Sequence, residues 1–453
     1  MRGEAGAFAS PLANHGQANG TDATASSSSR RNFLWLAADK AIRLVAGLVV
    51  GLVVARHLGP ESFGRLQYAI TLLVVLGPLA ELGLEPLVRR RLIDRPEEAG
   101  KVLAAVFRLR LAAGLISAAG LAAYAALGGE TDEARGLLWI LCLGLSQAAG
   151  MTPAIWLHAT LRARVEVVAS WVALAAGSAA KLACVWSGAG LAAFAWVWVG
   201  EAWLTCGLVW ALARRAGLPR LQGEELARTG RELLANSWPV LASGLFVLIN
   251  MRVDVVLLRN LAGEAETGVY VAAVKFSELG YFVPVALASS LLPWLLKARA
   301  EGEAAYGRAV QKYYDLNLAL AHVIVWPILW LAEPVIALAY GPDFAGAAEV
   351  LRWHAPAAFF VFAGVARWQV LFNEGRQRFG LFCTVAGTAL NIGLNAWLIP
   401  RYGAQGAAMG TVAAQAATVL GMQWLHPALR ADTVRLALAF LVPLRGWRHL
   451  RRP

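Results

Sequence analysis

Apolar residues along this chain fall in long blocks separated by short polar or glycine-rich turns, a pattern that neither strand alternation nor an amphipathic soluble helix produces. Read block by block, the sequence gives about twelve apolar segments, at 33–55, 67–87, 108–127, 136–157, 166–187, 190–213, 238–259, 268–296, 316–340, 350–373, 379–400 and 404–425. Most are roughly 20 residues or slightly longer, the length a helix needs to cross a hydrocarbon core about 30 Å thick. Inside such a core each segment must satisfy its own backbone polar groups, so the blocks predict helices. The predicted fold class is an all-α polytopic membrane protein of about twelve transmembrane helices. Asp39, Lys40 and Arg43 interrupt the first block; it is kept because the polar turn at Leu58 needs a helix before it.

Two of the turns resemble each other. "LGPESFGRLQYA" from Leu58 is echoed by "LAGEAETGVYVAA" from Leu261, and each follows an apolar run ending in an arginine, Arg56 or Arg259. "GGETDEARGLL" at Gly128 is echoed by "GPDFAGAAEVL" at Gly341, and "GAGLAAFAWV" at Gly188 by "GAQGAAMGTV" at Gly403. The offsets are about 204, 213 and 215 residues in the same order, which points to one duplication of a six-helix unit. Six crossings return the chain to its starting side, so the two lobes are expected to be parallel repeats with a substrate cleft between them.

Charge changes the picture by giving it a direction. One set of turns carries Arg89, Arg90, Arg91, Arg95, Lys101, Arg162, Arg164, Arg214, Arg215, Lys297 and Arg299, while the opposite set carries Glu61, Glu130, Asp132, Glu133, Glu264 and Glu266. Positive residues stay inside, so both termini are expected on the cytoplasmic side. The net charge of +12 is then mainly a topology signal, with the basic end "RGWRHLRRP" facing anionic lipid, and no nucleic-acid-binding module stands behind it. The expected organisation is a disordered cytoplasmic tail at 1–31, a first lobe at 32–213, a cytoplasmic linker at 214–237, a second lobe at 238–425, and a basic cytoplasmic tail at 426–453 holding an interfacial helix over 432–444. The composition agrees, at 58% hydrophobic and only 15% charged. The four cysteines are scattered through apolar runs, the seven histidines lack metal-ligand spacing, and no phosphate-binding loop is present, so no metal, cofactor or nucleotide hydrolysis is expected.

Several longer stretches then carry a resemblance: "ARHLGPESFGRLQYA" at 55–69, "MRVDVVLLRNLAGEAETGVYVAA" at 251–273, "YGPDFAGAAEVLR" at 340–352, and "GRQRFGLFCTVAGTALNIGLNAWLIPRYGAQGAAMGT" at 375–411. In this order the chain resembles the lipid-linked oligosaccharide flippases, the O-antigen and exopolysaccharide exporters of the multidrug/oligosaccharidyl-lipid/polysaccharide transporter superfamily. The resemblance implies a bacterial inner-membrane protein that moves a polyprenyl-pyrophosphate-linked glycan, with membrane lipids, a polymerase and other polysaccharide-assembly proteins as partners. It also implies a cationic cavity for the pyrophosphate and sugars.

Ionisable groups within apolar spans are expensive and are therefore functional candidates. The cations are Arg43, Lys181, Arg252, Lys275, Arg352 and Arg367; the anions are Asp39, Glu81, Glu85, Glu201, Asp254, Glu278 and Glu333. Arg43, Arg252 and Lys275 fall on the first two helices of a lobe, which the repeat places beside the cleft. With Arg367 they are the expected ligands of an anionic headgroup, since guanidinium and ammonium groups suit phosphate oxygens. Asp254 occupies a helix in which the family often carries an acidic residue; it is read either as pairing a cavity arginine or as titrating during transport. Glu81 and Glu85, four apart in "AELGLEPLV", and Glu278 are candidates for ion coupling. Against these stand structural readings: Lys275 and Glu278 neutralising each other three residues apart, and Glu85 meeting Arg89 and Arg90. The pairs Gly47/Gly51 and Gly406/Gly410 read as helix-packing motifs.

Three functions compete. A flippase working by alternating access fits the intramembrane cations. A cation-coupled multidrug exporter of the same superfamily would want an acidic, aromatic cavity. A membrane glycosyltransferase or polymerase would need an external catalytic loop, whereas external turns here are about ten residues or fewer, with only Glu130, Asp132 and Glu133 as candidate carboxylates.

Overall fold

The computed structural model describes residues 21–224 and 226–445. Among them the chain is helical, with no strand. The first half contains α1 (Thr21–Glu81), α2 (Glu85–Asp94), α3 (Ala99–Leu127), α4 (Asp132–Cys142), α5 (Gln147–Gly150), α6 (Thr152–Ala159), α7 (Ala163–Trp186) and α8 (Leu191–Arg215). The second contains α9 (Leu226–Ala262), α10 (Glu264–Ser277), α11 (Phe282–Ala300), α12 (Glu303–Tyr340), α13 (Gly346–His354), α14 (Ala357–Asn373), α15 (Gln377–Ala416), α16 (Met422–Trp424), α17 (Arg430–Phe440) and α18 (Val442–Arg445).

Ten stretches among the described residues are long and apolar enough to cross a membrane. The first and last of them, Ile42–Asp94 and Gln377–Trp424, run for 53 and 48 residues. Straight helices of that length would reach about 70–80 Å, more than twice the bilayer core. Both fold back at a glycine: Gly59 (φ 71°) in α1 and Gly403 (φ 53°) in α15. Positive φ drives a Cβ into the backbone, so glycine is the residue for these corners. The second corner is tight enough that a Cβ on Gly406 would lie 2.7 Å from the Leu398 carbonyl carbon, eight residues earlier. The sequence-predicted segments 33–55 and 67–87 fall on either side of Gly59, and 379–400 and 404–425 on either side of Gly403.

Side chains pack into several apolar cores. Leu66, Leu73, Leu138 and Phe194 form one in the first half, and Leu103, Val106, Leu157 and Val209 another that also takes in Leu233 of α9. In the second half Leu295, Tyr313, Val370 and Leu436 pack together. A further core, around Leu258, Tyr270, Tyr340 and Phe344, takes in Ala55 and Phe63 of α1, so it too joins the halves. The seam runs along α1, α9, α10 and α3.

Across the seam, at the end that carries the acidic turns, the two echoed turns meet. A Cβ on Gly64 would overlap the Glu264 carbonyl, and a Cβ on Gly268 would overlap the Pro60 carbonyl. Pro60 and Glu264 are 204 residues apart, as are Gly64 and Gly268. Each copy therefore rests its glycine on the other copy's turn, the self-complementary contact that a two-fold relation generates.

Other sequence expectations meet the structure unevenly. α1 begins at Thr21, inside the expected tail, while residues 1–20 lie outside the described residues. α9 begins at Leu226 and passes through Pro239 without a break, so the second part of the expected linker is the start of that helix. Gly406 and Gly410 are close-packed, a Cβ on the latter falling 2.6 Å from Asn395 Oδ1. Gly47 is not: no heavy atom lies within 4 Å of its would-be Cβ, and beside Gly51 stands only Lys275 Nζ, at 3.5 Å. That pair leaves room for a side chain rather than for a helix. Within the stretch expected to hold an interfacial helix, α17 packs on the second lobe, with Leu436 and Ala439 fully buried.

Gly64→Val and Gly268→Val are each expected to destabilise the purified protein by about 1–3 kcal/mol through overpacking of the seam. Gly47→Val should leave the thermal midpoint unchanged. A thermal-unfolding series in detergent separates the two classes.

Candidate functional site

The end of the seam that carries the acidic turns is held shut by ion pairs. Arg65 Nε donates to Glu264 Oε2 at 2.6 Å, and the same guanidinium reaches Glu61 and Glu133. Arg259 donates to Glu130, approaches Glu264 at 3.5 Å and lies over the Tyr68 ring at 4.8 Å. Tyr68 and Tyr124 share a hydrogen bond of 2.9 Å, and Tyr124 donates onward to Glu130 at 3.2 Å. Exposed ion pairs contribute little. Here Glu130 is 1% exposed and Arg65 12%, so screening is weak and the network is directional. Both arginines bridge the halves.

Beside this closure is a cavity of about 240 Å³ walled by the first half, including Gly47, Gly51 and Phe63 of α1, into which one residue of the second half reaches across the seam. Two lysines line it, Lys181 from α7 and Lys275 from α10. Lys181 Nζ donates to Glu201 Oε2 at 2.7 Å. Arg252, on α9, stands 3.6 Å from Glu278. Lys275 makes neither ion pair nor hydrogen bond among the described residues; its Nζ faces the Phe63 ring at 4.7 Å. A lysine at this depth without a carboxylate partner is an anion-binding group by its chemistry.

The first half holds a second constellation toward the end that carries the basic turns. Glu81, Glu85, Arg110, His158 and Glu166 line a cavity of about 480 Å³. His158 bridges two carboxylates, with Nε2 at 2.5 Å from Glu166 and Nδ1 at 3.7 Å from Glu85. Arg110 is buried, donates to the Ala148 carbonyl at 3.3 Å, and leaves its Nε without a hydrogen-bond partner. An adjoining cavity of about 610 Å³ is lined by Glu81, Glu85 and Arg110 on one side and by Val247 and Leu248 of α9 on the other. Among the described residues no cluster of three His, Cys, Asp or Glu side chains could hold a metal ion.

The predicted site residues therefore do not form one group. Arg252, Lys275 and Glu278 come together at the seam, but Glu278 faces Arg252 and not the lysine three residues before it. Asp254 is buried away from the cleft, accepting from Tyr270 Oη and from the Val255 N–H at 2.8 Å. Arg367 is 1% exposed and sits under α17, 3.1 Å from Asp432 and 3.3 Å from Thr433 Oγ1. Arg43 lies about two turns before Gly51 on α1 and lines none of the cavities described here. Glu81 and Glu85 share a cavity wall, and Glu85 also meets Arg89, at 3.8 Å. Lys181 and Glu201 stood among the charges inside apolar runs but not among the expected headgroup or coupling residues. Arg110, His158 and Glu166, and the Arg65–Arg259 closure were not singled out by the sequence, because they needed the three-dimensional arrangement.

Removing the closure, as Arg65→Ala with Arg259→Ala, is expected to expose Thr267, which is fully buried at the seam. A cysteine placed at Thr267 in a background without the native cysteines should then react at least tenfold faster with an impermeant maleimide.

Comparison with known proteins places this geometry. The family described as "Polysaccharide biosynthesis protein" matches residues 29–299, more than half of the chain. An uncharacterized membrane protein of Bacillus subtilis, YabM, is 27% identical over 254 residues, which span 53% of this chain and about half (47%) of that relative. Among solved structures, the lipid II flippase MurJ in an inward closed conformation matches with a TM-score of 0.70 at 14% identity, covering 92% of this chain and 93% of that one. An inward-facing multidrug resistance MATE family transporter of the MOP superfamily matches at 0.65 and 17% identity, covering 90% and 99%. At such identities these likenesses establish the fold. The chain is thus a polytopic membrane protein with the MOP-superfamily transporter fold, and it belongs to the polysaccharide biosynthesis protein family.

Proposed function

We propose that this protein flips a polyprenyl-pyrophosphate-linked oligosaccharide from the cytoplasmic to the external leaflet by alternating access, for cell-surface polysaccharide (O-antigen, capsule or exopolysaccharide) assembly. The observation that carries the reading is Lys275, a cation in the cavity at the seam with no carboxylate of its own among the described residues. A pyrophosphate is the complementary charge; Lys181 lines the same cavity, and Arg252, paired with Glu278, stands on the neighbouring α9. The closure at Arg65 and Arg259 seals the acidic end, and the larger cavities lie toward the basic end. With basic turns inside, this is a cytoplasm-facing state of a twelve-span chain with both termini in the cytoplasm. The polyprenyl tail stays in lipid while the headgroup crosses between the lobes. The setting is a bacterial inner membrane, with a polymerase and related assembly proteins receiving the product.

The same reading assigns coupling to the first lobe. Glu85, His158 and Glu166 form one run of ion-pair contacts facing a cavity, with Glu81 and Arg110 beside it, so a proton taken up there changes which of these charges are paired. Glu278, bound to Arg252, links that charge state to the headgroup site only if the lobes move. A cation-coupled drug exporter would use the acidic cluster as the substrate site and leave Lys275 without a role, which is why it is the second reading.

The deciding experiment is transfer of a fluorescent undecaprenyl-pyrophosphate glycan across liposomes. The wild-type chain should flip it; Lys275→Ala should reduce the rate at least tenfold with normal insertion, and Lys275→Arg should retain most of it. Export of cationic drugs without any glycan flipping would instead identify the acidic cluster as the site. In the same liposomes, an imposed proton gradient should accelerate the wild type but not His158→Gln, whose gradient-free rate should be within about twofold of wild type.

A further inference from the structure

The second lobe contains a cavity of about 740 Å³ that the headgroup site does not use. This is within the ~300–1,000 Å³ of small-molecule sites. α9, α11, α14 and α15 wall it, and Val247 of α9 belongs both to this cavity and to the inter-lobe space beside Glu81. The cavity is thus next to the transport path, one helix away from the first lobe.

Its lining is neutral and rich in hydrogen-bonding groups: Asn250, Gln369, Asn391, Gln415 and Thr418. Arg367, the single charged side chain on the wall, already faces Asp432 at 3.1 Å. Three lining groups are nevertheless unmet. Arg367 and Gln423 are 1% and 4% exposed, and Arg367 Nε, Thr411 Oγ1 and Gln423 Oε1 have no hydrogen-bond partner among the described residues. Polar atoms left this way inside a lobe favour polar contents in the space beside them over apolar ones. The wall also offers a flat apolar surface, since Trp368 is 44% exposed and its ring is seated on Gly380, where any Cβ would overlap it. Thr418 and Val419 reach the cavity from a π-helical turn, Ala417–Gly421, a distortion that recurs at binding sites.

The chemistry narrows the occupant. A pyrophosphate would want cations without partners, a cationic drug would want carboxylates, and an acyl chain would leave the amides unmet. A pyranose ring fits all three features: hydroxyls that both donate and accept, no charge, and an apolar C–H face for an indole. We infer that this cavity receives the sugar part of the substrate, a neutral hydroxyl-rich glycan, while its pyrophosphate lies at Lys275. The inference rests on the flippase reading above.

The test uses the purified full-length chain and two probes. One is undecaprenyl-pyrophosphate-linked oligosaccharide extracted from membranes of the organism that makes this chain; the other is undecaprenyl pyrophosphate without sugar. Wild type should bind the glycosylated lipid at least tenfold more tightly. Trp368→Ala and, independently, Gln415→Leu should remove that preference while binding the bare lipid as before, which also shows that the variant is folded. Equal wild-type affinity for the two lipids, or a preference that survives both substitutions, overturns the sugar cavity and leaves the flippase intact. Failure of wild type to bind either lipid overturns the flippase reading itself.

Discussion

Two backbones touch across the seam of this protein, and most of the arrangement follows from that contact. Gly64 rests on the carbonyl of Glu264 and Gly268 on the carbonyl of Pro60. In a bilayer, helices gain no hydrophobic advantage from meeting each other, so the approach depends on small residues and close packing. Once the two turns are in register, Arg65 and Arg259 fall opposite Glu264 and Glu130 and close the end of the seam. Lys275 follows Gly268 by seven residues, two turns along the same helix face. The contact that joins the lobes therefore also aims the lysine into the cavity behind it, where Gly51 leaves it space.

The cavity's charge is the costly part of this design. A lysine at the centre of an isolated membrane helix is unfavourable by about 2.5–3.5 kcal/mol on insertion scales, and partners normally offset such groups. Lys181 has Glu201 and Arg252 has Glu278, but among the described residues Lys275 has no ion pair or hydrogen bond and faces an aromatic ring. Cation–π contact supplies roughly 0.5–2 kcal/mol. The imbalance is absent at the closure, where each arginine meets two or more carboxylates. One end of the seam is thus satisfied by the chain itself and the centre is left to be satisfied by something else.

Much of the fold was legible in the sequence because membrane spans are long, apolar and separated by polar turns. The repeat was legible because both copies need a glycine at the same two places, the corner and the contact. The site was legible only in part. Arg252 and Lys275 were found because a charge in an apolar run has few innocent explanations. Arg367 and Asp254 carried the same signal and turned out to hold structure together, Arg367 under Asp432 of a helix 65 residues later and Asp254 beneath Tyr270. Which buried charge acquires a partner depends on contacts far apart in the chain, such as Glu278 choosing Arg252 over its neighbour Lys275. Helical spacing predicts the neighbour and cannot see the other helix. The His158 cluster was missed for a similar reason, because Glu85, His158 and Glu166 lie on three different helices.

The measurement that bears most directly on the central claim is a cryo-electron-microscopy map of the protein in lipid nanodiscs with undecaprenyl pyrophosphate bound. The account requires pyrophosphate density within hydrogen-bonding distance of Lys275 Nζ and close to Lys181, with the prenyl chain leaving the cleft for lipid. Pyrophosphate density elsewhere, with the Lys275 cavity holding only water, would contradict it.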